Sequence, residues 1–183
     1  MKKIVTDNFY SQRSLKKFNF KKVGNNVKIS KNSLIIGPEN ISLGSDIRID
    51  AFSTIIANRG KLKLENKVHI GSHSHLLASG GISIGSNCTI SQGVKIYSQS
   101  DDYSGKKPAG LFLKKKISNY IKAKVEIENY VIVGSGSVIL PGVKITQGCS
   151  IGALSLVNKS LKSLGIYAGI PCKKIKKKYK NYF

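Results

Sequence analysis

The chain has 183 residues and carries 31 Lys and Arg against nine Asp and Glu, which gives a formal charge of +22. This length is typical of one domain, and no uncharged run approaches the roughly 20 residues of a membrane-spanning helix. The charge indicates an anionic partner: a nucleic acid, an anionic lipid surface, or an acidic or phosphorylated small molecule. We expect a soluble cytoplasmic protein whose basic patches allow peripheral contact with a membrane.

Residues 1–22 are basic and weakly amphipathic. Their apolar side chains suit one side of a short helix: Phe9, Leu15, Phe18 and Phe20. The start signals for this helix lie near Thr6 or Asp7. We expect the segment to cap the repeat that follows, because the open end of a repeat fold is an unpaired edge. An arm that binds a membrane or a partner is the alternative.

A period of six residues begins loosely at Val23, and we assign residues 23–163 to one repeat domain. Aliphatic residues open the six-residue blocks: Leu43, Ile49, Ile55, Leu64, Ile70, Leu76, Ile84, Ile90, Ile96, Ile127, Val133, Ile139, Ile145, Ile151 and Val157. The fifth position of the later blocks is small or β-branched: Val131, Ser137, Val143, Cys149 and Ser155. A period of six matches neither a helix nor a simple alternating strand, and it is the signature of a parallel β-helix built from triangular coils.

Residues 97–124 interrupt this period as one long loop. Long irregular loops on a rigid scaffold often carry function, so this loop is a candidate site. Its lysines favour an anionic or membrane-proximal acceptor, or they form a solvated face. After the repeat, residues 164–183 form a short basic extension with six lysines: Lys173, Lys174, Lys176, Lys177, Lys178 and Lys180.

Cysteine and histidine usage argues against a disulfide framework and a metal site. The three cysteines are an odd number, and Cys88 and Cys149 fall at fifth positions of the blocks. We expect both to be small buried side chains in a reducing compartment. The histidines have no matching cysteine or carboxylate framework, so no metal is expected.

These features together resemble the hexapeptide-repeat acyltransferases, and most closely their galactoside and maltose O-acetyltransferase-like branch. The resemblance is carried by the blocks of six, the loop 97–124 and the ending G-I-Y-A-G-I-P-C-K-K. The string IYSQSDDYSG is also similar to sugar O-acetyltransferases of bacterial surface polysaccharides. The resemblance implies an all-β, left-handed parallel β-helix, a homotrimer with active sites in the grooves between subunits, and acetyl-coenzyme A as the acyl donor.

The resemblance also implies where coenzyme A binds. The V-G-S-G-S run is similar to the segment along the pantetheine arm, I-G-A-L-S-L-V-N-K to the region near its far end and the nucleotide, and A-G-I-P-C-K-K-I-K to the region of the adenine and the 3′-phosphate. The implied contacts are Ser135, Ala153, Asn158, Lys159, Pro171, Lys173 and Lys176. Asn158 stands where the family usually has Thr. Lysine ammonium groups are good partners for phosphate, although each alone could be a solvated surface charge.

The general base is harder to assign. Histidine is the natural base for acyl transfer to a hydroxyl, and this chain has only His69, His73 and His75. In the galactoside acetyltransferase pattern the base lies in the loop after the strand that ends the coil, where this chain has Asp101 and Asp102. The usual histidine is therefore missing.

Our hypothesis is that His75 replaces it. His75 precedes Leu76 as Lys95 precedes Ile96, so it should lie one coil below the mouth of the loop, with Asp101 or Asp102 orienting its ring. His69 and His73 are the alternatives. If all three are surface histidines, an aspartate binds the acceptor hydroxyl or acts as a weak base.

We therefore expect an acetyl-coenzyme A-dependent O-acetyltransferase that acts by direct transfer on a sugar hydroxyl of a saccharide, capsule or lipopolysaccharide unit, with no nucleic-acid partner. N-acetylation of an amino-sugar nucleotide is one alternative. A non-catalytic module that binds an acidic glycan or a membrane is another. The sequence leaves open the acceptor, the position acetylated, and whether a precursor or a finished polymer is modified.

Overall fold

The computed structural model describes residues 8–106, 108, 120–162 and 164–179. The helical segments are α1 (Gln12–Leu15) and a 3₁₀ turn (Pro38–Asn40). Twelve strands precede the inserted loop: β1 (Lys22–Val23), β2 (Lys28–Ile29), β3 (Leu34–Ile36), β4 (Ile41–Leu43), β5 (Arg48–Ile49), β6 (Thr54–Ile56), β7 (Leu62–Leu64), β8 (Val68–Ile70), β9 (His75–Leu77), β10 (Ile82–Ile84), β11 (Cys88–Ile90) and β12 (Lys95–Tyr97). The later strands are β13 (Gln99–Asp101), β14 (Tyr120–Lys122), β15 (Val125–Ile127), β16 (Ile132–Val133), β17 (Val138–Ile139), β18 (Lys144–Ile145), β19 (Ser150–Ile151), β20 (Leu156–Val157), β21 (Ile166–Ala168) and β22 (Lys173–Lys176).

Three sheets form the walls of a prism. Sheet 1 has the order β1-β4-β7-β10-β15-β18, sheet 2 has β2-β5-β8-β11-β16-β19-β21-β22, and sheet 3 has β3-β6-β9-β12-β17-β20. All neighbours within these sheets pair in parallel except β21 and β22. Each coil therefore adds one strand to each sheet, and the predicted all-β parallel β-helix is confirmed.

The aliphatic residues that open the blocks fill the interior. In sheet 1, Leu64 pairs with Leu43 below it and with Ile84 above it, and Ile127 continues the same column. These side chains are buried, as are the fifth-position residues. Buried serines at fifth positions keep their hydroxyls satisfied: Ser137 Oγ, for example, donates to the Gly152 carbonyl at 3.0 Å. The predicted burial of Cys88 and Cys149 is also confirmed.

The coils approach each other so closely that some corners admit only glycine. A Cβ added to Gly134 would lie 2.5 Å from the backbone nitrogen of Ala153 in the next coil. Backbone atoms cannot yield to such a contact as the end of a flexible side chain can. This corner, between sheets 2 and 3, therefore holds consecutive coils at a fixed spacing.

The described part of the N-terminal segment contains one short helix. It starts at Gln12, with the Ser11 side chain accepting from the Ser14 N–H, whereas the predicted start near Thr6 or Asp7 lies outside the described residues. Leu15 is buried, and Gln12 Nε2 donates to the Val27 carbonyl at 2.8 Å, so α1 packs onto the first coil. The repeat is already in register at this coil, because β1, β2 and β3 pair with β4, β5 and β6.

The loop 97–124 leaves the prism as a hairpin in which β13 and β14 pair antiparallel. Four of its lysines lie outside the described residues: Lys107, Lys114, Lys115 and Lys116.

At the C-terminal end of the prism, β21 pairs with β19, and β22 then returns antiparallel along β21. The division into 1–22, 23–163 and 164–183 stays a prediction, although sheet 2 continues past residue 163. Among the described residues no helix is long and apolar enough to cross a membrane.

Candidate active site

A groove of about 670 Å³ lies where the inserted hairpin covers the corner between sheets 3 and 1. Its lining combines apolar walls with a few polar groups: Leu77, Tyr97, Gln99, Ser100, Asp101, Tyr103, Ile121, Leu140, Pro141 and Asn158. The register of the strands in sheet 3 explains how one wall of the groove is built. Leu77 pairs with Tyr97, and Leu140 and Asn158 follow the buried residues that end β17 and β20, so these four side chains form one column across successive coils.

Asp101 lies on β13 at the wall of this groove and is exposed. No residue in the described part of the chain hydrogen-bonds its carboxylate. Asp102 is used differently, because its Oδ1 accepts from the Ser104 N–H at 2.9 Å and so closes a local turn. The two aspartates that the sequence could not separate therefore have different surroundings, and only Asp101 lines the groove.

His75 lies behind the groove. It pairs with Lys95 of the next coil, as predicted, and its ring centroid is 5.6 Å from that of Tyr97, which lines the groove. Burial, and then the charge of Lys95, lower the pKa of His75 below its usual value, so the ring is neutral near pH 7. The ring makes no hydrogen bond to Asp101 or Asp102, so the predicted orienting carboxylate is not observed. The assignment of His75 as the base stays a prediction.

The histidine that does have a carboxylate partner is His69. Its Nε2 lies 2.7 Å from Oδ2 of Asp50, and the Arg48 Nε donates to the other Asp50 oxygen at 2.6 Å. Burial raises the pKa of Asp50, but the hydrogen bonds from His69 and Arg48 outweigh it, and the net pKa is lowered. This cluster lies on the outer face of sheet 2, away from the groove. His73 lies at the corner between sheets 2 and 3, where its ring stacks on Phe52 with centroids 5.1 Å apart.

The predicted coenzyme contacts fall into three groups. Ser135 and Ala153 lie in adjacent coils at the corner between sheets 2 and 3, and Asn158 and Lys159 lie at the corner between sheets 3 and 1. Asn158 lines the groove. Pro171, Lys173 and Lys176 are exposed and lie at or just before β22 at the C-terminal end of sheet 2. The structure thus brings Asn158 and Asp101 to one groove, and the remaining contacts stay predictions.

A second, smaller cavity of about 340 Å³ lies between α1 and the first coil. It is lined mainly by apolar and aromatic side chains, including Leu15, Phe18 and Phe20. Such a lining offers no charged group for acyl transfer. The residues that the structure describes also contain no group of three or more His, Cys, Asp or Glu that could hold a metal ion.

Comparison with known proteins identifies the family. The family described as bacterial transferase hexapeptide (six repeats) matches residues 124–159. The chain is 35% identical to the dTDP-4-amino-4,6-dideoxy-D-glucose acyltransferase of Escherichia coli, over 94% of this chain and 90% of that protein. The chain belongs to the hexapeptide-repeat acyltransferases. The predicted family, the left-handed β-helix and the acyl-coenzyme A-dependent transferase activity are thereby confirmed.

Two further members of the family are informative. A crystal structure of a variant of AntD, an N-acyltransferase from Bacillus cereus, holds dTDP-4-amino-4,6-dideoxyglucose and coenzyme A. It has a TM-score of 0.91 and 36% identity to this chain, covering 97% of this chain and 94% of AntD. WbbJ, an O-acetyl transferase assigned to lipopolysaccharide biosynthesis in E. coli K12, is 27% identical over 76% of this chain and 69% of its own length.

Proposed function

We propose that this acyltransferase moves an acyl group from coenzyme A to the amino group of a nucleotide-linked amino sugar. The observation that carries the proposal is identity of 35–36% over nearly the whole chain to two enzymes, one named as a dTDP-4-amino-4,6-dideoxy-D-glucose acyltransferase and one an N-acyltransferase that holds dTDP-4-amino-4,6-dideoxyglucose in its crystal structure. From the sequence, O-acetylation of a sugar hydroxyl was the first expectation, and N-acetylation of an amino-sugar nucleotide was an alternative. The comparisons support the alternative better.

The groove supports an amine acceptor on chemical grounds. Its lining in the described part of the chain contains no histidine, and its acidic member is Asp101. A hydroxyl must lose its proton to a base as it attacks, whereas the neutral fraction of an amine attacks without one. A carboxylate also attracts the ammonium form of the acceptor and then accepts a hydrogen bond from its N–H. Asp101 suits this role better than the activation of a hydroxyl.

The AntD structures provide a second argument. In them a serine and an aspartate whose positions differ by ten were each replaced. In this chain one Ser–Asp pair has that spacing, Ser91 and Asp101. Asp101 lines the groove, whereas Ser91 lies at the other edge of sheet 3, at the corner between sheets 2 and 3. The spacing supports Asp101 as the acidic group that contacts the acceptor.

The proposed reaction is direct transfer. The thioester substrate supplies the acyl group, and the acceptor nitrogen forms a bond to its carbonyl carbon while Asp101 holds the N–H. The C–S bond then breaks, and the nitrogen gives up its proton as the thiol of coenzyme A is released. Tyr97, Leu140 and Pro141 form an apolar wall that limits water beside the reacting groups.

We also propose the homotrimer implied by the family, with the outer face of sheet 3 in the interface. Leu34 is 54% exposed and Ile36 is 38% exposed on this face, and Phe52 and Leu154 project from the adjacent corner. Sheet 1 instead carries ion pairs on its outer side, such as Lys144 with Glu128. An apolar face beside the groove fits a subunit contact that closes the groove. Light scattering should give about three times the 19.9 kDa of one chain. The cytoplasmic location expected from the sequence stays a proposal.

The test of the function uses two matched acceptors, dTDP-4-amino-4,6-dideoxyglucose and its 4-hydroxy counterpart. Release of the coenzyme A thiol is measured for each with acetyl-coenzyme A as donor. We expect turnover with the amine and none above background with the alcohol. Turnover with the alcohol alone would favour O-acetylation, the second candidate, which the similarity to WbbJ supports. Failure with both acceptors would overturn the proposal for this sugar class.

A further inference from the structure

A basic surface with exposed apolar side chains lies at the C-terminal end of sheet 2. β22 is the last strand of this sheet, and all four of its residues, Lys173–Lys176, are exposed. Ile175, which lies among these lysines, is 64% exposed. The chain then continues through the exposed Lys177 to Tyr179, which is 86% exposed. We call Ile175, Lys177 and Tyr179 the terminal patch.

The sequence around this patch contains lysines and no carboxylate side chain. Glu128 is the last acidic residue of the chain, and residues 129–183 contain nine lysines. Lysines on sheet 1 differ, because Lys144 contacts Glu128 there. A run of cationic side chains without acidic residues of its own is typical of a surface that meets an anionic partner.

The register of β22 separates the terminal patch from the lysines predicted to bind coenzyme A. Lys174 pairs with Tyr167, which is buried, and a Cβ added to Gly165 would lie 2.6 Å from Lys174 Cε. Lys174 therefore lies over the end of the prism interior. Lys173 and Lys176 pair with the residues on either side of Tyr167, so they project from the outer face of sheet 2. The terminal patch includes neither of these two lysines.

We propose that the terminal patch docks on the surface of an anionic lipid bilayer. A lysine is attracted by the negative potential of such a surface, and its alkyl stem packs along apolar groups while the ammonium stays in water. Isoleucine and tyrosine suit the boundary between headgroups and acyl chains. A nucleic acid or a soluble phosphate would contact the lysines and leave the Ile175 side chain in water. The exposed apolar side chains among the charges therefore favour a bilayer.

Vesicle sedimentation tests the proposal on the full chain. One set of vesicles contains phosphatidylcholine alone, and the other contains one third phosphatidylglycerol and two thirds phosphatidylcholine. Binding is measured at low ionic strength, because salt screens exposed charges. We expect affinity for the anionic vesicles to be roughly tenfold or more above that for phosphatidylcholine alone. Saturating coenzyme A should leave this affinity within about twofold, because the patch excludes Lys173 and Lys176.

Two pairs of variants separate the charge from the apolar contact. Lys177→Gln should weaken binding to the anionic vesicles roughly fivefold. Its matched control is Lys22→Gln, because Lys22 is exposed on the first strand of sheet 1, and the change there should stay within about twofold. Ile175→Asn should also weaken binding roughly fivefold, because it removes an apolar side chain from the contact. Its control is Ile132→Asn, which changes a residue that is 47% exposed in the middle of sheet 2 and should keep the affinity.

Several results would overturn the inference. They are failure to bind the anionic vesicles, equal binding to both kinds of vesicle, and loss of binding when coenzyme A is added. Unchanged affinity in Ile175→Asn would also overturn it, because the partner would then be a polyanion recognised by charge alone. An equal loss in Lys22→Gln would assign binding to the net charge of the whole chain instead.

The outcome is independent of the proposed function. The terminal patch contributes no residue to the groove at Asp101, so vesicle binding can succeed or fail whether or not the enzyme acylates amino sugars. Circular dichroism shows whether each variant is folded.

Discussion

Replacement of Asp101 by Asn removes the carboxylate that we propose holds the acceptor amine, and among the described residues that line the groove it is the one carboxylate. The substitution keeps the size and shape of the side chain, and no described residue hydrogen-bonds the carboxylate. The free energy of unfolding should therefore change by less than about 0.5 kcal/mol. We therefore expect Asp101→Asn to lose acyl-transfer activity and to keep its stability.

The size of the loss follows from the exposure of Asp101. A hydrogen bond to a charged group contributes about 1.5–3 kcal/mol, and each 1.4 kcal/mol corresponds to about tenfold in rate. Asp101 is exposed, so water competes with the acceptor and the lower part of this range applies. We expect kcat/KM for the amino-sugar nucleotide to fall about 10- to 30-fold in Asp101→Asn.

The assay is thiol release under initial-rate conditions, with Asp102→Asn as the matched control. An amide oxygen can still accept the Ser104 N–H that Asp102 now accepts, so this variant should keep its activity within about twofold. Equal activity in Asp101→Asn and the parent enzyme would refute the role of Asp101. Equal loss in both variants would show that the turn, and not the groove carboxylate, matters.

Four further predictions test the histidine, the core and the subunit interface. His75→Gln should retain kcat within about threefold, because an amine acceptor needs no histidine base, and a loss of 100-fold or more by the same assay would restore His75 as the base. The lowered pKa of His75 means that the folded state favours the neutral ring, and the stability this gives is lost as pH falls through the folded pKa. Because His75→Gln has no such ring, it should lose less thermal stability than the parent chain as pH falls below about 6.5. Melting temperatures of both proteins at pH 5 and pH 8 measure this difference. Ile90→Ala should lower the free energy of unfolding by about 2–5 kcal/mol in urea titrations, whereas Ile132→Ala, on the exposed side of the same sheet, should cost less than about 1 kcal/mol. Leu34→Glu should shift the mass measured by light scattering from trimer to monomer if sheet 3 forms the interface, and an unchanged trimer would place the interface elsewhere.

The regular part of the fold could be predicted because every aliphatic position of the repeat faces the interior of the prism. Leu64, Ile70 and Leu76 recur at intervals of six, and in the structure they occupy equivalent interior positions on the three sheets. The column that contains His75 and Lys95 followed from the same spacing. Segments that depart from the period are harder to predict. The antiparallel return of β22 and the hairpin of β13 and β14 have no repeat that fixes their strand register.

The site was only partly predictable for a related reason. Asp101 and Asp102 are adjacent in sequence, and only the pairing of β13 shows which one lies at the groove. No motif or spacing in the sequence singled out Asp50 as a partner of a histidine. Its contact with His69 joins residues of neighbouring coils, and it could have been found by aligning the coils and looking for a carboxylate beside each histidine. The choice between amine and hydroxyl came from similarity to known enzymes and not from the spacing of residues.

The most direct measurement of the central claim is the chemical linkage in the product. The enzyme is given acetyl-coenzyme A with dTDP-4-amino-4,6-dideoxyglucose and its 4-hydroxy counterpart in one mixture, and the products are analysed by mass spectrometry before and after hydroxylamine treatment. Hydroxylamine cleaves esters and leaves amides intact. We predict one acylated product, formed from the amino sugar and resistant to hydroxylamine. An acylated product that hydroxylamine cleaves would contradict the account.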